Sequence, residues 1–137
     1  MSEYYLKIVT PDRLVFDGMA ESLIARTTTG DVCIMARHTE YITPLAIGVV
    51  KVKAKGKWRI ASCSGGVLVV TGGAATVIAD AFEWSDEIDV KRARAAKERA
   101  QGRMNNNSTE FEFKIAELKL KRAINRINTV NRWKNCV

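Results

Sequence analysis

The sequence has little of the residues that most often build metal, disulfide or nucleophilic sites. Its 137 residues include one histidine and three cysteines, Cys33, Cys63 and Cys136. An odd number of cysteines leaves one unpaired in any disulfide scheme. Neither a CxxC pair nor a cysteine and histidine spacing typical of zinc is present. We therefore expect reduced thiols in a cytosolic protein and no metal site.

Long apolar runs are also lacking. The strongest run, from Val67 to Val70, is far shorter than the roughly 20 residues that cross a bilayer. The N-terminus has no basic segment followed by a long apolar stretch and a cleavage site, so no signal peptide is predicted. With 47% apolar and 27% charged residues, the composition is typical of a soluble globular protein. It excludes the disordered, collagen-like and membrane-spanning classes.

Motifs for nucleotide hydrolysis are missing as well. Neither glycine pair, 65–66 or 72–73, is followed by Lys-Ser or Lys-Thr, so a phosphate-binding loop is absent and we expect turns at both pairs. His38 lies in a predicted loop with no Ser or Cys nucleophile motif nearby. The sequence therefore predicts that the chain is not an enzyme, and it favours an interaction or structural role for His38.

Positive charge is present in excess, and it is unevenly distributed. Residues 1–84 carry 9 Lys and Arg against 8 Asp and Glu, whereas residues 85–137 carry 13 against 7, so +6 of the net +7 lies in the second part. Both prolines and all glycines except Gly102 lie in the first part. We therefore place a domain boundary between Trp84 and Ser85. The charge predicts a polyanion, an acidic protein or a membrane surface as partner.

Residues 1–84 show the period-two pattern of β-strands. In residues 50–55 apolar residues alternate with lysines, and residues 58–62 alternate again after a turn at Gly56. Residues 67–71 and 76–79 flank the second glycine pair in the same way. With further segments upstream, about eight to ten short strands are predicted. That number and spacing indicate a sandwich or barrel of antiparallel strands.

Residues 85–137 show the pattern of two helices. Ser85 is the predicted N-cap of the first, which is expected to end at Gly102 and the asparagines that follow. Asn107 or Ser108 is the predicted N-cap of the second, which is expected to run to about Asn131. An apolar stripe is predicted on the second helix, whereas the first offers chiefly alanines. The stripe consists of Phe113, Leu120, Ile124 and Ile127, beside Phe111, Ile115 and Leu118.

Arginines at helical spacing are the sharpest feature of the second part. Arg92, Arg99 and Arg103 share a face of the first helix, and Arg122 and Arg126 lie one turn apart on the second. If the helices are antiparallel, residues near 92–99 are expected to lie opposite residues near 113–122, and their guanidinium groups converge. Such a cluster predicts either a polyphosphate site or a solvated basic face. Because little apolar surface holds the helices together, the hairpin is expected to open readily.

Several segments resemble one protein family, the bacterial epsilon subunit of the F-type ATP synthase. The strongest is the run from Ile88 to Ala93, Ile-Asp-Val-Lys-Arg-Ala, which is similar to the (Ile/Leu)-Asp-x-x-Arg-Ala nucleotide-binding signature of that family. The resemblance covers nearly the whole chain and its two-part layout. The other similar segments are residues 9–12, 16–18, 30–35 with His38, 43–45, 64–66 and 79–81.

The resemblance implies an α+β fold, with an N-terminal antiparallel β-sandwich over residues 1–84 and a C-terminal two-helix hairpin over residues 85–137. It implies that the sandwich contacts the gamma subunit and the c-ring of the rotor, at the cytoplasmic side of the cell membrane. It also implies a regulatory, non-catalytic hairpin that binds ATP without hydrolysing it. The folded hairpin would permit catalysis, and the extended hairpin would inhibit the alpha/beta hexamer.

The resemblance also implies particular site residues. Asp31 and His38 are the implied rotor contacts, although residues 37–41 lack the proline that often follows the histidine in the family. Arg103 is left out, because Gly102 and residues 105–107 are expected to shorten the first helix. The implied ATP contacts are Glu83, Ile88, Asp89, Arg92, Ala93, Arg99, Arg122 and Arg126.

Two other functions compete with this hypothesis. The basic helices are compatible with a nucleic-acid-binding module, but the sequence shows neither a groove-reading motif nor an aromatic stacking set. A small enzyme is the more distant alternative, because no lysine-bearing phosphate loop and no positioned base for water are recognisable.

Overall fold

In the computed structural model, residues 2–105 and 109–136 are described. The chain divides into two compact units, Met1–Trp84 and Ser85–Val137. The first unit contains only strands and the second only helices, so the predicted α+β class is confirmed. The strands are β1 (Tyr4–Val9), β2 (Leu14–Ala20), β3 (Ser22–Thr27), β4 (Gly30–Met35), β5 (Tyr41–Ala54), β6 (Lys57–Thr71), β7 (Ala74–Ala79) and β8 (Phe82–Trp84). The helical elements are a 3-10 turn (Ser85–Glu87), α1 (Val90–Asn105) and α2 (Glu110–Cys136).

The sandwich is built around the long hairpin of β5 and β6. The strand order is β2-β1-β7-β6-β5-β3-β4, and β8 pairs with β6. Residues 61–63 of β6 pair with β8, whereas residues 66–71 pair with β7. Similarly, β5 pairs with β3 mainly through residues 51–53. The two long strands therefore pass from one layer to the other and join the layers.

The strand predictions differ from the structure in two respects. Residues 42–45 and 50–55 belong to one continuous strand, β5, and residues 58–62 and 67–71 both belong to β6. In addition, β1 pairs with β7 in parallel, although every other pair is antiparallel within the described residues. Sequence periodicity reports which face a residue occupies, but it does not report strand direction or pairing partner.

Glycine allows β6 to continue where a turn was expected. Gly65 and Gly66 have φ values of 90° and 129°, in a region that other residues rarely adopt. A Cβ atom at Gly66 would lie 2.1 Å from the carbonyl oxygen of Ile78 on the adjacent strand. The turn expected at residues 65–66 is therefore wrong, and the pair instead permits close approach of β6 and β7. The turn expected at Gly72 and Gly73 is confirmed, because β6 ends at Thr71 and β7 begins at Ala74.

The sandwich core consists of large side chains from both layers. Leu6, Ile8, Leu23 and Leu68 are 0% exposed, and the alternating burial of β1 and β7 matches the period-two pattern. At one end of the core, the guanidinium carbon of Arg59 lies 3.8 Å from the ring centroid of Trp84. This cation–π contact covers the edge of the core with a charged group.

The first helix begins later and ends later than its sequence indicates. Asp89 rather than Ser85 caps α1, because the backbone N–H of Arg92 donates to Asp89 Oδ1 at 3.2 Å. Ser85 is buried in the preceding 3-10 turn. The helix also passes through Gly102 and ends at Asn105. A single helical glycine costs only about 1 kcal/mol relative to alanine, which neighbouring turns offset.

The second helix is capped by Thr109, whose hydroxyl accepts a hydrogen bond from the backbone N–H of Glu112 at 3.2 Å. The predicted caps, Asn107 and Ser108, lie outside the described residues. The helix continues to Cys136 and does not end near Asn131.

Small residues dominate the packing between α1 and α2. Ala93 and Ala100 are buried on α1, and the described buried residues of α2 include Ala116, Ala123 and Val130. The spacing of seven residues in both helices is that of a coiled-coil seam. The apolar stripe of α2 is buried only in part, because Phe113 and Ile124 are 38% and 36% exposed. Leu120 and Ile127, by contrast, are half-buried.

Candidate functional site

A cleft between α1 and α2 is a concave site in the helical unit. It has a volume of about 300 Å³. Its lining combines small apolar side chains with long basic ones: Ala96, Arg99, Ala100 and Arg103 of α1, and Lys119, Arg122, Ala123 and Arg126 of α2. The alanines leave space beneath the basic side chains, which larger residues at the seam would fill.

The cleft concentrates positive charge. Five of its eight lining residues are basic, and none of these eight is acidic. Elsewhere on α2, Lys114 and Lys121 form ion pairs with Glu110 and Glu117 at 3.5 and 3.4 Å. Within residues 2–105 and 109–136, neither Arg99 nor Arg122 forms a comparable pair. The cleft therefore presents cationic donors that suit a multivalent anion, because a guanidinium group can grip two phosphate oxygens at once.

Three of the predicted contact residues meet in this cleft, namely Arg99, Arg122 and Arg126. Arg103 and Lys119 also line it, although sequence reasoning did not include them. Arg103 was excluded because α1 was expected to end near Gly102, and the continuous helix removes that reason. Its spacing of four residues from Arg99 was the signal that could have identified it.

Arg92 does not line the cleft. The expected register placed residues 92–99 opposite residues 113–122, whereas the cleft brings residues 96–103 together with residues 119–126. Arg92 is exposed in the first turn of α1, seven residues before Arg99, which corresponds to about 10.5 Å along a helix axis. Arg92 lies on the same face of α1 as Arg99, but one helical turn before Ala96, where the lining of the cleft begins.

The remaining predicted contacts on α1 have structural roles. Ala93 is 0% exposed and Ile88 is 9% exposed, so both side chains pack into the protein in this conformation. Asp89 is exposed, and its Oδ1 atom caps the helix. A carboxylate at this position is also stabilised by the positive end of the helix dipole.

Glu83 belongs to the sandwich unit. It lies on β8 opposite Ser62 of β6 and is half-buried.

The two predicted rotor contacts lie towards opposite ends of β4. Asp31 forms an exposed ion pair with Arg26 at 2.9 Å, and the two residues are directly paired across β3 and β4. His38 follows the other end of β4, where its Nδ1 atom lies 2.8 Å from the carbonyl oxygen of Thr39. Asp31 and Met35 are four positions apart along β4, which corresponds to a distance of about 13 Å. Only an extended partner surface could contact both residues.

The thiols differ in environment. Cys33 is exposed and Cys63 is buried, and both are free. Burial, followed by the nearby charge of Asp80, raises the pKa of the Cys63 thiol to about 12, although a hydrogen bond with the Gly65 backbone opposes the shift. Cys63 is therefore protonated at neutral pH and is a core residue rather than a nucleophile.

Metal ligands and membrane-spanning helices are two further features to consider in the described part of the chain. Within it, no group of three or more His, Cys, Asp or Glu side chains is arranged to hold a metal ion. No helix among residues 2–105 and 109–136 combines the length and the apolar character that crossing a membrane requires.

Comparison with protein families gives two adjacent matches. The family model described as ATP synthase, Delta/Epsilon chain, beta-sandwich domain matches residues 3–85. The model described as ATP synthase, Delta/Epsilon chain, long alpha-helix domain matches residues 86–131. These matches give no support to the nucleic-acid-binding alternative.

Similar chains occur in several bacteria under the name ATP synthase epsilon chain. The chain from Caldicellulosiruptor saccharolyticus is 38% identical, and the alignment covers 98% of each chain. The chain from Ruminococcus albus is 40% identical over 96% of this chain and 99% of its own length. The chain from Bacillus velezensis is 40% identical over 93% of this chain and 97% of its own length.

Solved structures with the same fold come from mitochondrial ATP synthases. A chain in the Euglena gracilis OSCP/F1/c-ring complex has a TM-score of 0.78 and 22% identity, covering 88% of this chain and 77% of that chain. A chain in the Tetrahymena thermophila central stalk and c-ring has a TM-score of 0.64 and 16% identity, covering 92% and 95%. The structural likeness shows the fold. The family matches across both units, with relatives at 38–40% identity, show that the chain belongs to the ATP synthase delta/epsilon chain family.

Proposed function

We propose that the cleft between α1 and α2 binds ATP as a regulatory ligand, and that bound ATP favours the folded state of the hairpin. The observation that supports this proposal is the convergence of Arg99, Arg122 and Arg126, together with Arg103 and Lys119, on one cleft of about 300 Å³. Members of the delta/epsilon family are structural and regulatory subunits of the ATP synthase and not its catalytic chains. Binding without hydrolysis agrees with that role.

The charge of the cleft gives ATP a physical basis for stabilising the fold. Five like charges on two facing helix surfaces repel one another, at a cost that salt and solvent reduce. The phosphate chain of ATP supplies opposite charge and acceptor oxygens to the same groups. At a hundredfold excess over its dissociation constant, a ligand that binds only the folded hairpin stabilises it by about 2.7 kcal/mol. That free energy is large enough to change the population of a weakly closed hairpin.

The packing of the hairpin supports a switch between two states. Its seam consists chiefly of alanines, and each buried methyl group contributes only about 1 kcal/mol. Phe111 and Leu118 of α2 are 72% and 42% exposed, so much of the apolar surface of α2 does not hold the described fold together. Opening the hairpin therefore costs less than opening a core of large side chains. In the second state, the helices extend toward the alpha/beta hexamer and inhibit ATP hydrolysis.

The sandwich unit is the part that we assign to the rotor. The similar chain from Tetrahymena thermophila lies in a structure of the central stalk and c-ring. Contacts of Asp31 and His38 with the gamma subunit and the c-ring would place this chain at the membrane periphery on the cytoplasmic side. Asp31 is exposed near one end of the edge strand β4, and His38 is half-buried just beyond the other end, an arrangement that is compatible with an extended partner surface.

Calorimetric titration of the full chain with ATP, with and without magnesium, tests the proposed site. Arg122→Ala and Arg126→Ala should each weaken binding about tenfold or more, because each removes a charge-assisted contact of about 1.5–3 kcal/mol. Arg94→Ala is the matched control, since Arg94 is exposed on α1 and does not line the cleft. Equal affinities for the wild type and both cleft variants would contradict the proposal.

The proposal that the chain binds ATP without hydrolysing it needs a separate measurement. The isolated chain with ATP and magnesium should release no phosphate above the rate of ATP alone. Steady turnover that Arg126→Ala abolishes would contradict the regulatory role and revive the enzyme alternative.

A further inference from the structure

A second concave site lies in the sandwich unit, and the proposed nucleotide site does not use it. This recess has a volume of about 630 Å³ and is lined by Glu21, Met35, Arg37, Lys53 and Trp58, among others. Met35 is 59% exposed and Trp58 is 47% exposed. Two large exposed side chains at a concave site are typical of the centre of a protein interface.

The sheet register places the recess across four strands. Met35 of β4 pairs with Ser22 of β3, Ser22 pairs with Lys53 of β5, and Lys53 pairs with Trp58 of β6. Directly paired residues share one face of a sheet. Met35 and Trp58 therefore stand on the same face, three strand spacings or about 14 Å apart. Lys53 lies beside Trp58, with its ammonium 5.9 Å from the ring centroid.

Glu21 forms a fixed acceptor within the recess. Its backbone N–H donates to the carbonyl oxygen of Lys53 at 2.7 Å, and its Oε1 atom accepts from the backbone N–H of Gly56 at 3.3 Å. Its Oε2 atom lies 3.7 Å from Lys53 Nζ. This oxygen is buried and has no hydrogen-bond partner among the described residues. The ion pair with Lys53 partly offsets the cost of burying this charged oxygen.

The rim around the recess is basic. Lys53 of β5 lines the recess, and Lys51, two residues earlier in the strand, lies on the same face. Arg37 lines the recess from the opposite side, with a φ of 65°. Residues other than glycine rarely adopt this conformation, and they often do so at functional sites. The recess therefore combines an apolar centre with a cationic rim.

We propose that this recess is a docking site for a protein segment that carries a large apolar side chain between acidic residues. The apolar side chain enters between Met35 and Trp58. The acidic residues on either side of it face Lys53 and Arg37, which line the recess. Charge complementarity selects the acidic flanks, and the exposed tryptophan and methionine select the apolar anchor.

An anionic membrane is the alternative partner for a surface with lysines and a tryptophan. The shape of the site favours a protein segment instead. A recess accepts a protruding side chain, whereas a bilayer surface requires an exposed convex anchor.

Fluorescence anisotropy at low ionic strength provides a direct test with the full chain. The probe is a labelled synthetic peptide in which one Phe is flanked on both sides by acidic residues. Trp58→Ala should weaken its binding about tenfold or more, as expected for the loss of a central aromatic side chain. Lys53→Gln and Arg37→Glu should each weaken it several-fold, with an effect that fades at high salt. Lys7→Glu is the matched control, because Lys7 is exposed on β1 and does not line the recess.

Two control peptides and one vesicle separate the possible outcomes. A peptide with Lys in place of the acidic residues, and one with Ala in place of Phe, should bind at least about tenfold more weakly. Equal binding of either control peptide, or indifference to both Trp58→Ala and Arg37→Glu, would overturn the proposal. Recruitment of the chain by phosphatidylglycerol vesicles, lost in Trp58→Ala without any binding of the acidic peptide, would overturn it in favour of a membrane. Amide NMR spectra of each variant show whether it is folded.

Discussion

The two units of this protein are held together in different ways. Nine of the ten largest fully buried side chains lie in the sandwich, and Thr129 is the only one in the helices, among the described residues. The helical seam is made chiefly of alanines, and the cleft beside it is lined by five basic side chains. The sandwich is thus held by large buried side chains, whereas the helices are held chiefly by small ones beside a cluster of basic side chains. The comparison teaches that one small chain combines a core of large side chains with a lightly packed helical unit.

The largest expected effect concerns the sandwich core. Leu68→Ala should lower the free energy of unfolding by about 3 kcal/mol, because Leu68 is 0% exposed and its truncation leaves a cavity. Urea unfolding followed by tryptophan fluorescence measures the change. Ile42→Ala is the control, since Ile42 is 71% exposed, and it should cost less than about 0.5 kcal/mol. If the two variants behaved alike, the sandwich would not be the rigid unit of the comparison.

The next effect is a pH dependence that also belongs to the sandwich. Burial raises the pKa of Cys63 from 9.0 to about 12, so the unfolded chain loses this proton at lower pH than the folded chain. The contribution to stability is complete below pH 9 and is lost progressively as the pH rises from 9 towards 12. The difference between the wild type and Cys63→Val should therefore fall by about 1 kcal/mol between pH 9 and 10. Urea midpoints at both pH values provide the measurement, and a constant difference would refute the assignment.

An effect of similar size tests the start of the hairpin. Asp89→Ala should lower the stability of the helical unit by about 1 kcal/mol, because it removes the hydrogen bond to the Arg92 N–H. Asp89→Asn retains an acceptor and should cost little. Amide hydrogen exchange in α1 distinguishes the two variants. A titration with ATP adds information, since weaker ATP binding by a stable Asp89→Asn variant would show that the carboxylate serves the nucleotide in addition to the helix.

The smallest effect has the opposite sign. Without ATP, Arg122→Ala should stabilise the folded hairpin by a few tenths of a kcal/mol at low salt, because it removes one of five like charges. The gain should disappear at about 1 M salt, where screening acts within about 3 Å. Thermal unfolding of the helices by circular dichroism measures it, with Arg94→Ala as the comparison. A loss of stability in Arg122→Ala would mean that this side chain holds the hairpin closed without a ligand.

Much of the fold was accessible from residue patterns. Alternation in residues 50–55 and the alanine-rich run after Val90 each report a local periodicity, and each lies in an element of the predicted type. Strand length and helix ends were less accessible. The glycine pair at residues 65–66 predicted a turn because glycine favours positive φ, yet β6 continues through Gly66 since no side chain blocks the approach of Ile78. Similarly, the sequence pattern predicted Ser85 as the N-cap of α1. In the structure Ser85 lies in a 3-10 turn that precedes the helix, and Asp89 is the cap.

The candidate site, like the fold, could be predicted from the sequence only in part. The spacing of Arg122 and Arg126 on one helix follows from 3.6 residues per turn and needed no structure. The register between the helices did not follow, because it depends on which alanines pack against each other. That register brings Arg103 and Lys119 into the cleft and leaves Arg92 outside it.

The sequence by itself determined the order of the units, the concentration of positive charge in the second, and the faces on which its arginines lie. These properties are local, since they depend on composition and on the period of a helix or strand. The tertiary structure decided the parallel pairing of β1 with β7, the joining of two layers by β5 and β6, and the membership of the cleft. It also brought Met35 and Trp58, which are 23 positions apart in the chain, onto one face. Such contacts between distant residues depend on packing and strand register, which no local pattern specifies.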